Sequence, residues 1–408
     1  MNSPKKLFLA LLIISFLFRL FYLHQPPTYI FDEVYHVPTI RAYSQNNPAG
    51  YEWWQKAPEP NTAYDWLHPP LAKLIQAASV KLLGDHSLAW RLPSALFGTL
   101  SIAALYLFTL TIFKNHQLAL IAAAIFSLDG LQLTMSRITM NDIFLVTWLL
   151  LTLKFFYQYF TAKTSKKSNQ YLCLTAIFTG LSLATKHSAF LLYPIFILFL
   201  LPKIKHFFKH PKQLLLTAYS LLLIPTLIYF LSYTQFFLQG HTLKQFYQLH
   251  QQIYWYQANL TATHAYQSAA WQWPLLIRPV WFHVDYFKTT IANIYNLGNP
   301  AIFWVGLIAL IYTLTQKLTQ KTRYLLACYF ILFLPWIFSP RILFLHHYLP
   351  ALPFLCLIIA QVIHPRKSLT LFYLTLITIT FLFFYPLNTA IPLPQNFLKY
   401  WFWFPTWR

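Results

Sequence analysis

Apolar runs recur along this chain as candidate membrane spans, those at 118–135, 171–185 and 187–201 being short. They fall near residues 7–23, 93–113, 118–135, 141–160, 171–185, 187–201 and 214–232, and again at 298–316, 324–338, 348–363 and 368–386. About 20 apolar residues cross the hydrocarbon core as a helix, which satisfies every backbone N–H and C=O within the segment. The pattern predicts an all-α polytopic membrane protein with about 11 transmembrane helices. Hydrophobic residues make up 57% of the chain and charged residues 10%, against roughly a quarter charged in soluble proteins. That balance excludes a water-soluble globule and a disordered chain. Cys173, Cys328 and Cys356 all sit in apolar runs, which argues against a disulfide framework or a cysteine zinc site.

Two long polar and aromatic stretches interrupt the runs, at 24–90 and 233–296. Irregular backbone cannot face lipid, so both read as external loops. Leu71–Leu83 is apolar enough to lie in the interface as a short helix. The expected organisation is an N-terminal transmembrane module, 1–232, carrying the first loop; the second loop, 233–296; and a C-terminal four-helix module, 297–408. The first run follows Lys5 and Lys6, contains Arg19 and precedes no small-residue cleavage site, so it reads as a retained span with a cytoplasmic N-terminus.

The formal net charge is +21. In a soluble domain this would suggest nucleic acid, but here basic inner segments set topology and touch anionic lipid, so no nucleic-acid partner is expected. All nine carboxylates (Asp32, Glu33, Glu52, Glu59, Asp65, Asp85, Asp129, Asp142, Asp285) fall on the outer side or the outer part of a span. Acid–base chemistry is therefore expected outside.

The adjacent acids Asp32 and Glu33 come just after the first span, where a general base could sit at the membrane surface. A solvated loop pair or partners for a nearby Arg is the plainer reading. His68-Pro69-Pro70-Leu71-Ala72-Lys73 places two prolines at a helix start, from which His68 and Lys73 could face a phosphate. Arg91, Arg137, Arg278 and Arg341 lie at outer edges, and a guanidinium suits phosphate through bidentate hydrogen bonds. Any one of them could equally be a snorkelling anchor. Asp142 is costly to bury unpaired and could pair with Arg137 or Lys186. The segment 245–281, including Trp273, is rich in amides and aromatics, as sugar platforms and interfacial belts both are. His346-His347 has no further ligand at helical spacing, so a metal there is disfavoured and any divalent-metal need stays open. No phosphate-cradling Gly-rich loop or HExxH occurs, leaving nucleotide chemistry unsupported.

Several strings then line up in order: Phe31-Asp32-Glu33-Val34-Tyr35-His36, the His68–Lys73 string, Trp90-Arg91-Leu92-Pro93-Ser94, and Ser136-Arg137-Ile138-Thr139-Met140-Asn141-Asp142. Gly180-Leu181-Ser182-Leu183-Ala184-Thr185-Lys186, the stretch from Trp271 to Trp281, Leu297-Gly298-Asn299-Pro300 and His346-His347-Tyr348-Leu349-Pro350 follow. In this order the chain resembles the protein O-mannosyltransferase family, from about residue 19 to 355. The resemblance implies a GT-C glycosyltransferase fold and transfer of mannose from a polyprenyl-phosphate-mannose donor to Ser/Thr hydroxyls of proteins, with inversion. It implies Asp32 as base, Glu33 as an acceptor-positioning partner, and Arg91 with the outer cations Arg137, Lys186, Arg278 and Arg341 around the donor phosphate. His68, Lys73, Asp142, Trp273, His346 and His347 are the expected donor- or acceptor-binding residues. No cofactor is expected beyond the lipid-linked donor, and the partners are that donor, a protein acceptor and membrane lipid. The expected setting is a bacterial plasma membrane with the site outside. His187-Ser188 departs from the family, where many members carry Trp and a small residue. A lipid-carrier transferase acting on a glycolipid or polysaccharide, as aminoarabinose transferases do, is the alternative. A flippase is disfavoured because no internal repeat is seen.

Overall fold

The computed structural model describes residues 3–408. Every apolar run in that range is helical. The helices are α1 (Ser3–Leu20), α2 (Glu33–Ser44), α3 (Leu71–Leu83), α4 (Ser87–Phe113), α5 (His116–Ser127), α6 (Gly130–Met135), α7 (Asp142–Thr161), α8 (Ser165–Leu183) and α9 (Leu192–Leu200). They continue as α10 (Ile204–Lys209), α11 (Pro211–Ser232), α12 (Thr234–Leu238), α13 (Leu243–Asn259), α14 (Pro300–Thr315), α15 (Gln320–Phe333), α16 (Leu352–Ile363) and α17 (Lys367–Asn388). Among the described residues, five helical segments are long and apolar enough to cross a membrane: Ser87–Phe113, Asp142–Thr161, Pro211–Ser232, Gln320–Phe338 and Lys367–Asn388. Shorter apolar helices pack beside them. The protein is a helical integral membrane protein.

Local chemistry sets the breaks. The expected span at 118–135 is two helices, because Asp129 caps α6. Its Oδ1 accepts from Gln132 N–H at 2.9 Å, and its Oδ2 accepts from Asn299 N–H at 2.9 Å, joining α6 to the start of α14. Close approach also constrains this joint: a Cβ at Gly130 would stand 2.2 Å from the Leu297 carbonyl oxygen. The Asn299 amide extends the tie to the Leu128 and Ile377 carbonyls. The run at 187–201 starts as a 3-10 turn, His187–Leu191, before α9. The first loop carries the expected helix at Leu71–Leu83, which ends where Gly84 takes φ +95°.

The second loop is more ordered than its polarity suggests. Thr242 and Gln245 form a capping box on α13. The chain then makes an antiparallel hairpin, β1 (Val280–Tyr286) and β2 (Thr290–Asn296), with Val280 opposite Asn296 and Tyr286 opposite Ile291. β3 (Leu393–Pro394), from the C-terminal tail, pairs with β2. The all-α expectation is corrected by this small sheet. The register puts Val280, His283 and Asp285 on one face, opposite Asn296, Ile294 and Ala292, and Trp281, Val284 and Tyr286 on the other, because the bulge at Phe282 shifts the simple alternation by one residue. The sheet reaches the first loop through Phe31 N–H to the Phe282 carbonyl, at 3.2 Å. The tail folds back as well, with buried Trp407 donating to the Leu276 carbonyl at 2.6 Å.

Candidate active site

Asp32 is the N-cap of α2, yet its side chain makes no capping hydrogen bond. Among the described residues its carboxylate accepts none at all, and it lines a cavity of about 370 Å3. Burial, then the nearby Asp65 carboxylate, raises its pKa to about 7, against an opposing pull from Lys186. Asp32 therefore carries the titration range of a general base working at neutral pH.

Its neighbour has the opposite environment. Glu33 is wholly buried and accepts from Arg91 Nε at 2.9 Å and Nη2 at 2.7 Å. It also accepts from the Ile30 and Thr139 backbone N–H groups at 3.1 and 3.0 Å. A carboxylate so engaged has no oxygen left for an acceptor, which corrects the acceptor-positioning expectation for Glu33.

Three of the five cations expected at a phosphate are committed elsewhere. Arg91 is buried on Glu33 and on the Leu23, Pro26 and Thr28 carbonyls. Arg137 donates to the Phe18, Arg19 and Phe21 carbonyls at the end of α1. Arg278 donates to the Thr406, Arg408 and Ala265 carbonyls and lies over the Tyr266 ring. None of the three lines the cavity. The physical reason is common: each chain turn near a helix end leaves free carbonyls, and a guanidinium can satisfy several at once.

Lys186 and Arg341 do line it. Lys186 Nζ is 2.7 Å from Asp142 Oδ1, so Asp142 pairs with Lys186 rather than with Arg137. Arg341 has no hydrogen bond or ion pair among the described residues, and its Nε is buried without a partner. It is a cation available to an anion.

His68 lines the cavity and is held by Asp65, with Nδ1 2.9 Å from Oδ1. Lys73 is not on the wall. It is fully buried and donates to Asp65 and to the His68 carbonyl, so its expected contact with substrate is corrected to support of the loop. Burial alone would raise Asp65, but His68, Lys73 and His36 around it hold its carboxyl well below the usual range. His346 and His347 line the cavity with stacked rings. Trp273 does not; it stacks on His347 from behind and donates to Ser268 Oγ at 3.0 Å.

Several lining groups escaped the sequence reading. His36 lines the wall one helical turn after Asp32, a spacing that could have flagged it. Burial lowers its pKa to about 3, so it is neutral. Asn141 is buried with both amide atoms unpartnered, and Gln257 Oε1 and His346 Nδ1 are orphaned too. Trp336 gave no local signal. Buried polar atoms rarely lack partners, and here they gather around one cavity, as donors and acceptors for a polyhydroxylated ligand would. Among the described residues no three His, Cys, Asp or Glu side chains are grouped as metal ligands would be.

The cavity is thus walled by one free carboxylate, cations and unpaired amide and imidazole groups. Comparison with known proteins places this arrangement. A family model described as dolichyl-phosphate-mannose-protein mannosyltransferase matches residues 67–229. One described as the C-terminal four TMM region of protein-O-mannosyltransferase matches 242–319 and 313–407. The polyprenol-phosphate-mannose–protein mannosyltransferase of Mycolicibacterium smegmatis is 23% identical, across 93% of this chain and 88% of that protein. The Saccharomyces cerevisiae protein O-mannosyltransferase Pmt1-Pmt2 complex bound to the sugar donor shares the fold, with TM-score 0.80, 14% identity, and coverage of 100% of this chain and 93% of that one. ArnT from Cupriavidus metallidurans bound to undecaprenyl phosphate is less similar, with TM-score 0.59, 13% identity, and coverage of 89% and 61%. The shared architecture is the GT-C fold, and with family models matching both 67–229 and 242–407, this protein belongs to the protein O-mannosyltransferase family.

Proposed function

We propose that this protein transfers mannose from a polyprenyl-phosphate-mannose donor to Ser or Thr hydroxyls of proteins, at a site on the extracytoplasmic side of the membrane. The observation that carries the mechanism is the Asp32 carboxylate, unbonded and in the same cavity as the unpaired Arg341. Asp32 takes the proton from the attacking hydroxyl. The oxygen forms its bond to the anomeric carbon as the bond from that carbon to the phosphate oxygen breaks. The electron pair leaves with the polyprenyl phosphate, whose growing negative charge is met by Arg341 and Lys186. Direct displacement inverts the anomeric centre. Asn141, Gln257 and His346 supply hydrogen bonds to sugar hydroxyls, since each carries an orphaned polar atom.

The organisation into modules 1–232 and 297–408 around a loop at 233–296, with about eleven spans and a cytoplasmic N-terminus, belongs to the same reading. The eleven helical runs and the basic short loops support it. A bacterial plasma membrane fits the mycobacterial relative. The glycolipid-acceptor alternative has the weaker fold likeness to ArnT behind it. The test is transfer by the purified protein from radiolabelled polyprenyl-phosphate-mannose to a Ser/Thr-rich peptide, with a lipid acceptor run in parallel. Label in lipid alone would reject the reading.

A further inference from the structure

A second cavity, about 590 Å3, adjoins the one that holds Asp32, and the two share Trp336, Arg341, Ile342 and Leu343 as a common wall. Its sides are two irregular segments, 260–269 after α13 and 339–343 after α15. Both are extended at their ends. Leu260 has φ −70° and ψ 111°, and Ala269 φ −69° and ψ 146°. Ser339 has φ −74° and ψ 125°, and Phe344, just past the second segment, φ −138° and ψ 159°. Among the described residues a single backbone hydrogen bond joins them, Ser268 N–H to the Leu343 carbonyl at 2.9 Å. The backbone groups of Thr261, Ala262 and Thr263 on one side, and of Arg341 and Ile342 on the other, make no hydrogen bond within the described residues. Irregular segments with extended ends and free N–H and C=O groups offer main-chain partners to an incoming extended chain.

We propose that this groove seats the acceptor as an extended polypeptide, delivering one Ser or Thr over the shared wall to Asp32. The inference rests on the mannosyl-transfer reading and adds the acceptor's path and its charge preference. Main-chain pairing does not depend on side-chain identity, so many sequences can be carried. The side chains that line the groove are aliphatic, hydroxyl, amide or aromatic, and Arg341 is the one charged residue among them, at the junction with the catalytic cavity. A basic residue beside the acceptor hydroxyl would approach that unpaired guanidinium, and like charges repel. Neutral and acidic neighbours are therefore preferred.

The test uses the full-length protein and two acceptors, N-acetylthreonine amide and a Thr-containing peptide long enough to run the groove. Ala262→Trp, at an exposed position that lines the groove and not the Asp32 cavity, narrows the groove. It should raise the long-peptide KM about tenfold or more while leaving the small acceptor and the donor within about twofold, a KM-only pattern that marks lost binding. Thr263→Trp serves as a second variant, and unchanged melting of either shows intact folding. Peptides with Lys next to the Thr should be used several-fold less well than those with Gln or Glu. Unchanged long-peptide kinetics in both variants, or equal loss for both acceptors, would overturn the groove. Transfer by wild type to neither acceptor would instead overturn the mannosyl-transfer reading beneath it.

Discussion

Glu33 and Arg91 form a closed pair, with Nη2 2.7 Å from Oε2 and Nε 2.9 Å from Oε1, and both side chains are essentially sealed from solvent. The next carboxylate in the chain, Asp32, has no such partner and opens on the cavity. The pair fixes where Asp32 stands: Glu33 pins the first turn of α2 to α4 and, through Thr139 N–H, to the loop before α7.

Arg91→Ala and Glu33→Gln should therefore act on the fold. Removing one member of a buried pair leaves the other charge uncompensated and costs about 3–5 kcal/mol. Low membrane abundance and a lowered melting temperature in detergent are expected, with donor and acceptor use falling together. A stable Arg91→Ala protein with a defect in donor use alone would return Arg91 to the phosphate.

Asp32→Asn should lower transfer by about 10²–10⁴-fold, the usual worth of a positioned base, without lowering abundance. Wild-type kcat/KM should fall as the pH drops through about 7, because only the ionised carboxylate accepts the proton. Stability runs the other way. The folded-state pKa is raised from 3.8 to about 7, so this group's stabilisation is full below 3.8 and lost as the pH rises through 7. The Asn variant escapes that loss, so at pH 8 it should melt no lower than wild type. Wild-type turnover by the variant would remove Asp32 from the chemistry.

Arg341→Ala should reduce turnover by about 10²–10³-fold, as loss of one donor to a developing oxyanion does, with melting little changed because the side chain holds nothing else in place. Single-turnover rates with saturating donor would measure it, and a loss below threefold would point to another phosphate contact.

Asn141→Leu keeps the volume and removes both polar atoms. Because those atoms have no partner in the protein, folding should be neutral or slightly improved, while donor KM should rise by about tenfold, the scale of one or two lost hydrogen bonds. A destabilised variant with normal donor binding would make Asn141 a structural residue.

Gly130→Ala tests the joint between α6 and α14. Its Cβ would lie 2.2 Å from a backbone oxygen that cannot rotate away, so a loss of about 1–3 kcal/mol is expected, as in overpacked cores. Thermal unfolding would detect it.

The sequence by itself determined the membrane class, the helical runs and the Leu71–Leu83 helix, because these follow from local hydropathy and proline geometry. It also picked out the Asp32-Glu33 pair. The residues alone could not separate Asp32 from Glu33, nor Arg341 from Arg91, Arg137 and Arg278. Residues of one type end up paired or free according to what lies opposite them: Glu33 meets an arginine 58 positions away, and Arg137 meets carbonyls at the end of the first helix and just past it, 116–119 positions away. The hairpin of β1 and β2 is local, but its third strand comes from residues near the C-terminus, about 100 positions on. Burial and pairing are properties of the assembled chain, and only the tertiary structure could decide them.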